Sequence, residues 1–149
     1  MQSYKLNFFL ILHFLPFFIF GQDPYFINYD TKDGLPSSEV HAVEMDSNGI
    51  LWFATDRGIC SYNGYEFKTY TTDDGLANNS TLAIWKDRKG NFWFPGLNGS
   101  LTIFDHNNFY PYKWNDSIKT KVHIPQNIAW DHEDNLYFWK VALDQKILL

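Results

Sequence analysis

The sequence holds a single cysteine, Cys60, among its 149 residues. One thiol excludes an internal disulfide framework and a multi-cysteine zinc site. Basic residues are also short, 12 Lys and Arg against 17 Asp and Glu, for a formal net charge of −5. Duplex-binding domains carry a basic surplus, so this balance argues against a nucleic-acid partner. No Gly-x-Ser-x-Gly, Walker loop or His-Glu-x-x-His occurs, which leaves nucleophilic, phosphate-binding and zinc-hydrolase chemistry without a motif. The five histidines, at 13, 41, 106, 123 and 132, lack metal-ligand spacing. No catalytic residue, metal or cofactor is therefore expected. No segment sustains a 3.6-residue apolar period, and the length suits one ordinary domain.

Aromatic residues are in excess instead. Fourteen Phe, nine Tyr and six Trp make up 19% of the chain, far too many for a disordered segment. Several lie in the first twenty residues, where Lys5 precedes an apolar run from Phe8 to Phe20 that ends at Gly21 before the polar Gln22-Asp23. A charged start, a short apolar stretch and a small residue before a polar segment describe a secretory signal peptide. The run is interrupted by Pro16 and is shorter than the roughly 20 residues of a spanning helix. Residues 1–21 are therefore read as a removable export signal, with no membrane span and a mature chain working outside the cytoplasm.

The remainder repeats itself. Asp33-Gly34-Leu35 recurs 41 residues on as Asp74-Gly75-Leu76, and at the same offset Asp46, Gly49, Trp52 and Phe53 meet Asp87, Gly90, Trp93 and Phe94. A third copy, Asp131 to Phe138, follows Asp87 to Phe94 at an offset of 44. Within the first copy Val40 to Glu44 alternates, Asp46 to Gly49 is a turn, and Ile50 to Ala54 is an apolar strand expected to be buried on both faces. A further turn, Thr55 to Gly58, leads to Ile59–Tyr62; Asn63-Gly64 is a strong hairpin signal, and Glu66 to Tyr70 closes the unit. Four short strands per unit of about 40 residues is the period of a β-propeller blade. The expected fold is all-β, about two and a half four-stranded antiparallel blades of an incomplete propeller. The units run over residues 33–72, 73–114 and 115–149. Residues 22–32 are expected as the outer strand of a closing blade, since Phe26 to Tyr29 matches Phe67 to Tyr70.

The pattern of Asp-Gly-Leu, Asp-x-x-Gly-x-Leu/Phe-Trp-Phe, Gly and Asn-Gly resembles the two-component regulator propeller repeat. That resemblance implies the extracellular, periplasmic-side sensor region of a hybrid two-component histidine kinase of the Bacteroidetes type. By the same resemblance the ligand would be a glycan-derived oligosaccharide, and the kinase would lie in a C-terminal region outside this sequence. The chain reads as an N-terminal part of such a receptor. The alternatives are a truncated remnant without independent activity and part of a propeller-fold glycan-active enzyme. Other blades or further copies of the chain are expected to cover its open faces.

Scaffold and ligand residues separate by repetition. Trp52, Trp93, Gly34, Gly75, Gly49, Gly90, Asp46 and Asp87 recur and are assigned to the scaffold. The aspartate turns lack the further ligands of a calcium loop. Residues that vary between copies are free for binding. The candidates are Asp56 and Arg57 with Asn98 at its counterpart position, Glu39 on the same loop face, and His41 toward the central channel.

Overall fold

The computed structural model describes residues 25–121, 127–133 and 135–139. The expected export signal, residues 1–21, lies outside them. Among the described residues ten strands follow in order: β1 (Val40–Met45), β2 (Leu51–Thr55), β3 (Gly58–Tyr62), β4 (Phe67–Tyr70), β5 (Trp85–Lys86), β6 (Phe92–Pro95), β7 (Leu101–Phe104), β8 (Phe109–Pro111), β9 (Asn127–Trp130) and β10 (Leu136–Trp139). Strands β1 to β4 form one four-stranded sheet in chain order, β5 to β8 a second, and β9 pairs with β10. Every pairing is antiparallel. The fold is all-β, a partial propeller of stacked blades.

Alternation along the strands explains the stacking. In the first sheet the register Trp52↔Ser61 and Ala54↔Ile59↔Tyr70 gathers Trp52, Ile59 and Tyr70 on one face. In the second, Phe92↔Phe104↔Phe109 gathers phenylalanines on the face that meets them. Trp52, Ile59, Leu76, Phe92, Phe94 and Phe104 form the core between the sheets. The opposite face of the second sheet carries Trp93, Leu101 and Ile103, which pack with Ile118 and with Ile128 of the terminal hairpin. The second sheet is therefore apolar on both sides, and β6 is buried throughout. The first has a described neighbour on one side only. Its β2 accordingly alternates, with Leu51 and Phe53 half-buried, instead of being buried on both faces as the continuous apolar run predicts.

The repeated aspartate does more than open a turn. Asp46 Oδ1 accepts the backbone N–H groups of Asn48 and Ile50, at 2.8 and 3.0 Å, while Oδ2 accepts the Trp52 indole N–H at 3.1 Å. Asp87 repeats the arrangement with Lys89, Asn91 and Trp93, again 3.1 Å to the indole. Asp131 binds Glu133 and Asn135 and takes the Tyr137 hydroxyl at 2.9 Å, so the phenol replaces the indole as donor. Each clasp satisfies a ring donor, buried at Trp52 and Trp93 and half-buried at Tyr137, and locks the β-turn before its strand.

Asp-Gly-Leu is a second repeated device. Asp33 accepts the Asp30 backbone N–H at 2.7 Å, and Asp74 accepts that of Thr71 at 2.8 Å. Gly75 then leaves the 3-10 turn Thr72–Asp74 with φ 103°, a conformation natural to glycine. A Cβ on Gly75 would lie 2.4 Å from the Phe109 carbonyl oxygen. Leu76 drops between the sheets behind it.

Three expectations change. The pairs Leu51↔Tyr62 and Phe92↔Phe104 show that the repeat offset becomes 42 after the β6–β7 turn, which is one residue longer than the β2–β3 turn. At that offset Asp116-Ser117-Ile118 is the third copy of Asp-Gly-Leu, with Ile118 buried in the position of Leu76. Serine replaces the glycine that breaks out of the turn, and the chain continues instead as a helix, α1 (Asn115–Lys121). The unit 115–149 thus begins with a helix that the apolar period did not announce. Finally, Phe26 to Tyr29 is not a strand. Only Tyr29 is anchored, its ring against Tyr62 and Phe67.

Candidate functional site

Two backbone hydrogen bonds join three of the loops that the sequence singles out. Thr81 N–H donates to the Thr55 carbonyl at 2.8 Å, and Leu97 N–H to that of Ser80 at 2.9 Å, which ties the β2–β3 turn to the loop before β5 and the β6–β7 turn. Within these loops Thr55 Oγ1 accepts the Arg57 N–H and donates to the Gly58 carbonyl, holding the turn. Arg57 Nε stands 3.9 Å from Asp56 Oδ2, with the arginine side chain 73% exposed. An exposed pair of this kind is worth about 0–1 kcal/mol, so the guanidinium stays free to leave. Asp56 Oδ1 is buried without a hydrogen-bond partner among the described residues. Asn98 is bound into its own turn, its Oδ1 accepting the Ser100 N–H and hydroxyl. The one-residue longer turn also removes the strict equivalence of Arg57 and Asn98: counted from the following strand, Arg57 meets Gly99. Glu39 and His41 are both exposed.

A concavity lies elsewhere. A cleft of about 560 Å³ opens between the first and second sheets, and none of Glu39, His41, Asp56, Arg57 and Asn98 lines it. Its apolar wall includes Trp52, Tyr70, Phe104 and Phe109. Its polar rim comes from the β1–β2 turn, the β3–β4 turn and the β7–β8 turn, through Asn48, Asn63, His106, Asn107 and Asn108. A smaller cleft of about 180 Å³ occupies the equivalent place between the second sheet and the hairpin. There Trp130 meets Trp93 edge-on with ring centres 5.7 Å apart.

His106 distinguishes the larger cleft. In the first sheet Asn63 Oδ1 accepts the N–H groups of Tyr65 and Glu66 and is followed by Gly64 at φ 93°. In the second, Asp105 Oδ1 accepts those of Asn107 and Asn108, and the next residue is His106 at φ 72°. Histidine thus occupies the left-handed position that the repeat gives to glycine. Its ring packs beside Phe92 and Phe104, with centroids 6.1 and 5.8 Å away. Across the cleft, burial pushes the Asp46 carboxyl up. The Trp52 indole, the Ile50 and Asn48 amides and the charge of His106 outweigh it, holding Asp46 below its ordinary value. The sequence signal for His106 was present at an offset of 42, where Asp105-His106 falls on Asn63-Gly64; the offset of 41 conceals it.

The sequence model of the family described as "Two component regulator propeller" matches residues 34–57, from Gly34 through β1 and β2 to Arg57. The chain carries this propeller repeat. Among curated proteins no sequence match is found. Similar solved structures include extracellular domains from B. thetaiotaomicron. One, described as belonging to a one-component system, has 15% identity and a TM-score of 0.53 over 74% of this chain and 17% of its own. A second, described as hybrid two-component, has 14% identity and a TM-score of 0.50 over 79% and 15%. This likeness shows the propeller fold. The propeller chain spans less than a quarter of the length of each. Among its described residues no helix is long and apolar enough to cross a membrane.

Proposed function

We propose that this propeller chain is an exported, non-catalytic module that receives a ligand for a two-component receptor, with the kinase output elsewhere in that receptor. The observation that carries the reading is the regulator propeller repeat at residues 34–57, sited in a stack of four-stranded sheets. Scaffold positions in such a stack are filled by repeated residues, so what varies is available to a ligand. The proposed ligand is a glycan-derived oligosaccharide, and two surfaces compete for it. One is the loop face of Asp56, Arg57, Asn98, Glu39 and His41. The other is the inter-sheet cleft.

Thermal-shift screening of the full secreted chain against plant, host and microbial oligosaccharides tests the reading. A ligand bound only by the folded state adds about 2.7 kcal/mol at a hundredfold excess over its Kd. Saturable stabilisation with the ligand recovered intact is the expected result. Release of shortened or unsaturated products, seen by mass spectrometry, would instead favour a glycan-active enzyme.

A further inference from the structure

The cleft between the first two sheets combines features that scaffold packing does not require. Its volume of about 560 Å³ falls in the range of roughly 300–1,000 Å³ that small-molecule sites occupy. Two of its three carboxylates are already engaged. Asp46 is held by its turn and by Trp52, and Asp74 accepts the Thr71 N–H. Lys68 places its ammonium over the Tyr70 ring, 5.0 Å from the centroid, and Glu66 on the same rim balances its charge. Apart from those two opposite charges and the two engaged carboxylates, the rest of the polar rim is hydroxyl, amide and imidazole. The side-chain amides of Asn48, Asn107 and Asn108 make no hydrogen bond to the rest of the protein among the described residues. Each offers two donors and an acceptor next to aromatic wall residues.

His106 supplies an independent observation. It is the one non-glycine residue with positive φ among those described, in a turn whose repeat partner uses Gly64. Backbone strain persists where the side chain it carries is needed. The imidazole joins the three amides on the cleft rim, and the smaller cleft, walled by Trp93, Tyr112 and Trp130, has no such group.

We infer that this cleft is the ligand site, that it takes an uncharged polyhydroxylated ring compound, and that His106 contacts the ligand. Vicinal hydroxyls pair with planar amides and an imidazole, which both donate and accept, while the ring's apolar edge lies on the aromatic wall. The inference rests on the reading of the chain as a ligand-receiving module, and it places the site away from the loop face.

The test uses the full chain labelled with ¹⁵N and titrated with methyl β-D-glucoside, methyl β-D-galactoside and cellobiose, with glucuronate and glucosamine as charged counterparts. At least one neutral probe is expected to shift the Asn107 and Asn108 side-chain amides and the Trp52 indole. His106→Gly, which restores the repeat residue, is expected to keep or raise Tm while weakening that binding at least tenfold. Arg57→Ala is expected to change it less than twofold. Any of four results would overturn the site. One is binding lost in Arg57→Ala but kept in His106→Gly, which leaves the receptor reading intact. Another is tighter binding of the charged probes. The third is a marked fall in Tm for His106→Gly, which makes the histidine a packing residue. Silence from every probe overturns the site too, and the oligosaccharide screen then decides separately whether the receptor reading stands.

Discussion

Single residues here divide by whether they hold the stack or stand on its loops. Trp93 is buried between the second sheet and the hairpin, with its indole committed to Asp87. Trp93→Ala should cost about 3–5 kcal/mol through the cavity it leaves. Arg57→Ala, at a 73% exposed side chain, should stay within about 0.5 kcal/mol. Urea unfolding of the two variants checks the contrast. The clasp aspartates make a sharper prediction. Asp46→Asn keeps an oxygen for the turn amides but turns an NH₂ toward the indole N–H, a donor facing a donor. About 1–3 kcal/mol should be lost. Asp46 and Asp131 both sit below the ordinary carboxyl value of 3.8, Asp46 despite its burial and Asp131 chiefly through Asn135. A carboxyl depressed in the folded state stabilises fully above its unfolded pKa and loses that contribution as pH falls through the folded one. The urea midpoint should therefore hold from about pH 7 to pH 5 and fall below about pH 4. In Asp46→Asn the acid fall should be shallower.

At the scale of the element, the Asp-Gly-Leu turn decides how one sheet hands the chain to the next. Gly75 is doubly constrained, by φ 103° and by the Phe109 carbonyl lying 2.4 Å from where a Cβ would sit. Gly49 also has positive φ, 81°, but nothing within 4 Å of that position. Gly75→Ala must move backbone between β4 and β8, whereas Gly49→Ala meets only the cost of the left-handed conformation, about 1–2 kcal/mol. Thermal melts should show Gly75→Ala as clearly the more damaging. The helix α1 is the same turn without its glycine. Ser117→Gly should shorten it, since glycine in a helix interior costs about 1 kcal/mol relative to alanine. Loss of amide-exchange protection over residues 117–121, with the sheets unchanged, would bear this out.

At the scale of the molecule, the first sheet repeats a face that the second sheet covers. The register Met45↔Leu51↔Tyr62↔Phe67 and Val43↔Phe53 places these residues on the side away from Trp52. The corresponding face of the second sheet packs against the first. Val43 and Met45 are 50% and 57% exposed, an apolar patch of the kind that favours association. Light scattering of the full chain should show concentration-dependent association that Val43→Lys with Met45→Lys reduces. If residues 1–21 are removed on export, the secreted chain should begin at or near Gln22 by N-terminal sequencing.

Much of this architecture was legible in the residues themselves. A strand is local: alternation, a turn residue free to take positive φ and a Trp-Phe run at a fixed offset specify four-stranded units without knowledge of what surrounds them. Asp46, Asp87 and Asp131 could likewise be placed at turns, because an Asx turn is made by near neighbours. The indole contact six residues on was less visible, since it needs the twist of the turn and strand together. The helix over Asn115–Lys121 was hidden because a single Gly-to-Ser change within a shifted register determined it. The site was least legible of all. Loop position and variation between copies point to Asp56, Arg57, Asn98, Glu39 and His41, but the cleft of about 560 Å³ forms between two sheets and none of these residues lines it. Its rim joins Asn48 to Asn108 across residues distant in the chain. The chain by itself determined the repeat, its strands and its buried tryptophans, because those depend on local period and polarity. Only the tertiary structure decided which face of each sheet met the next and where His106 stood, because a cleft is made by the gap between elements and belongs to neither.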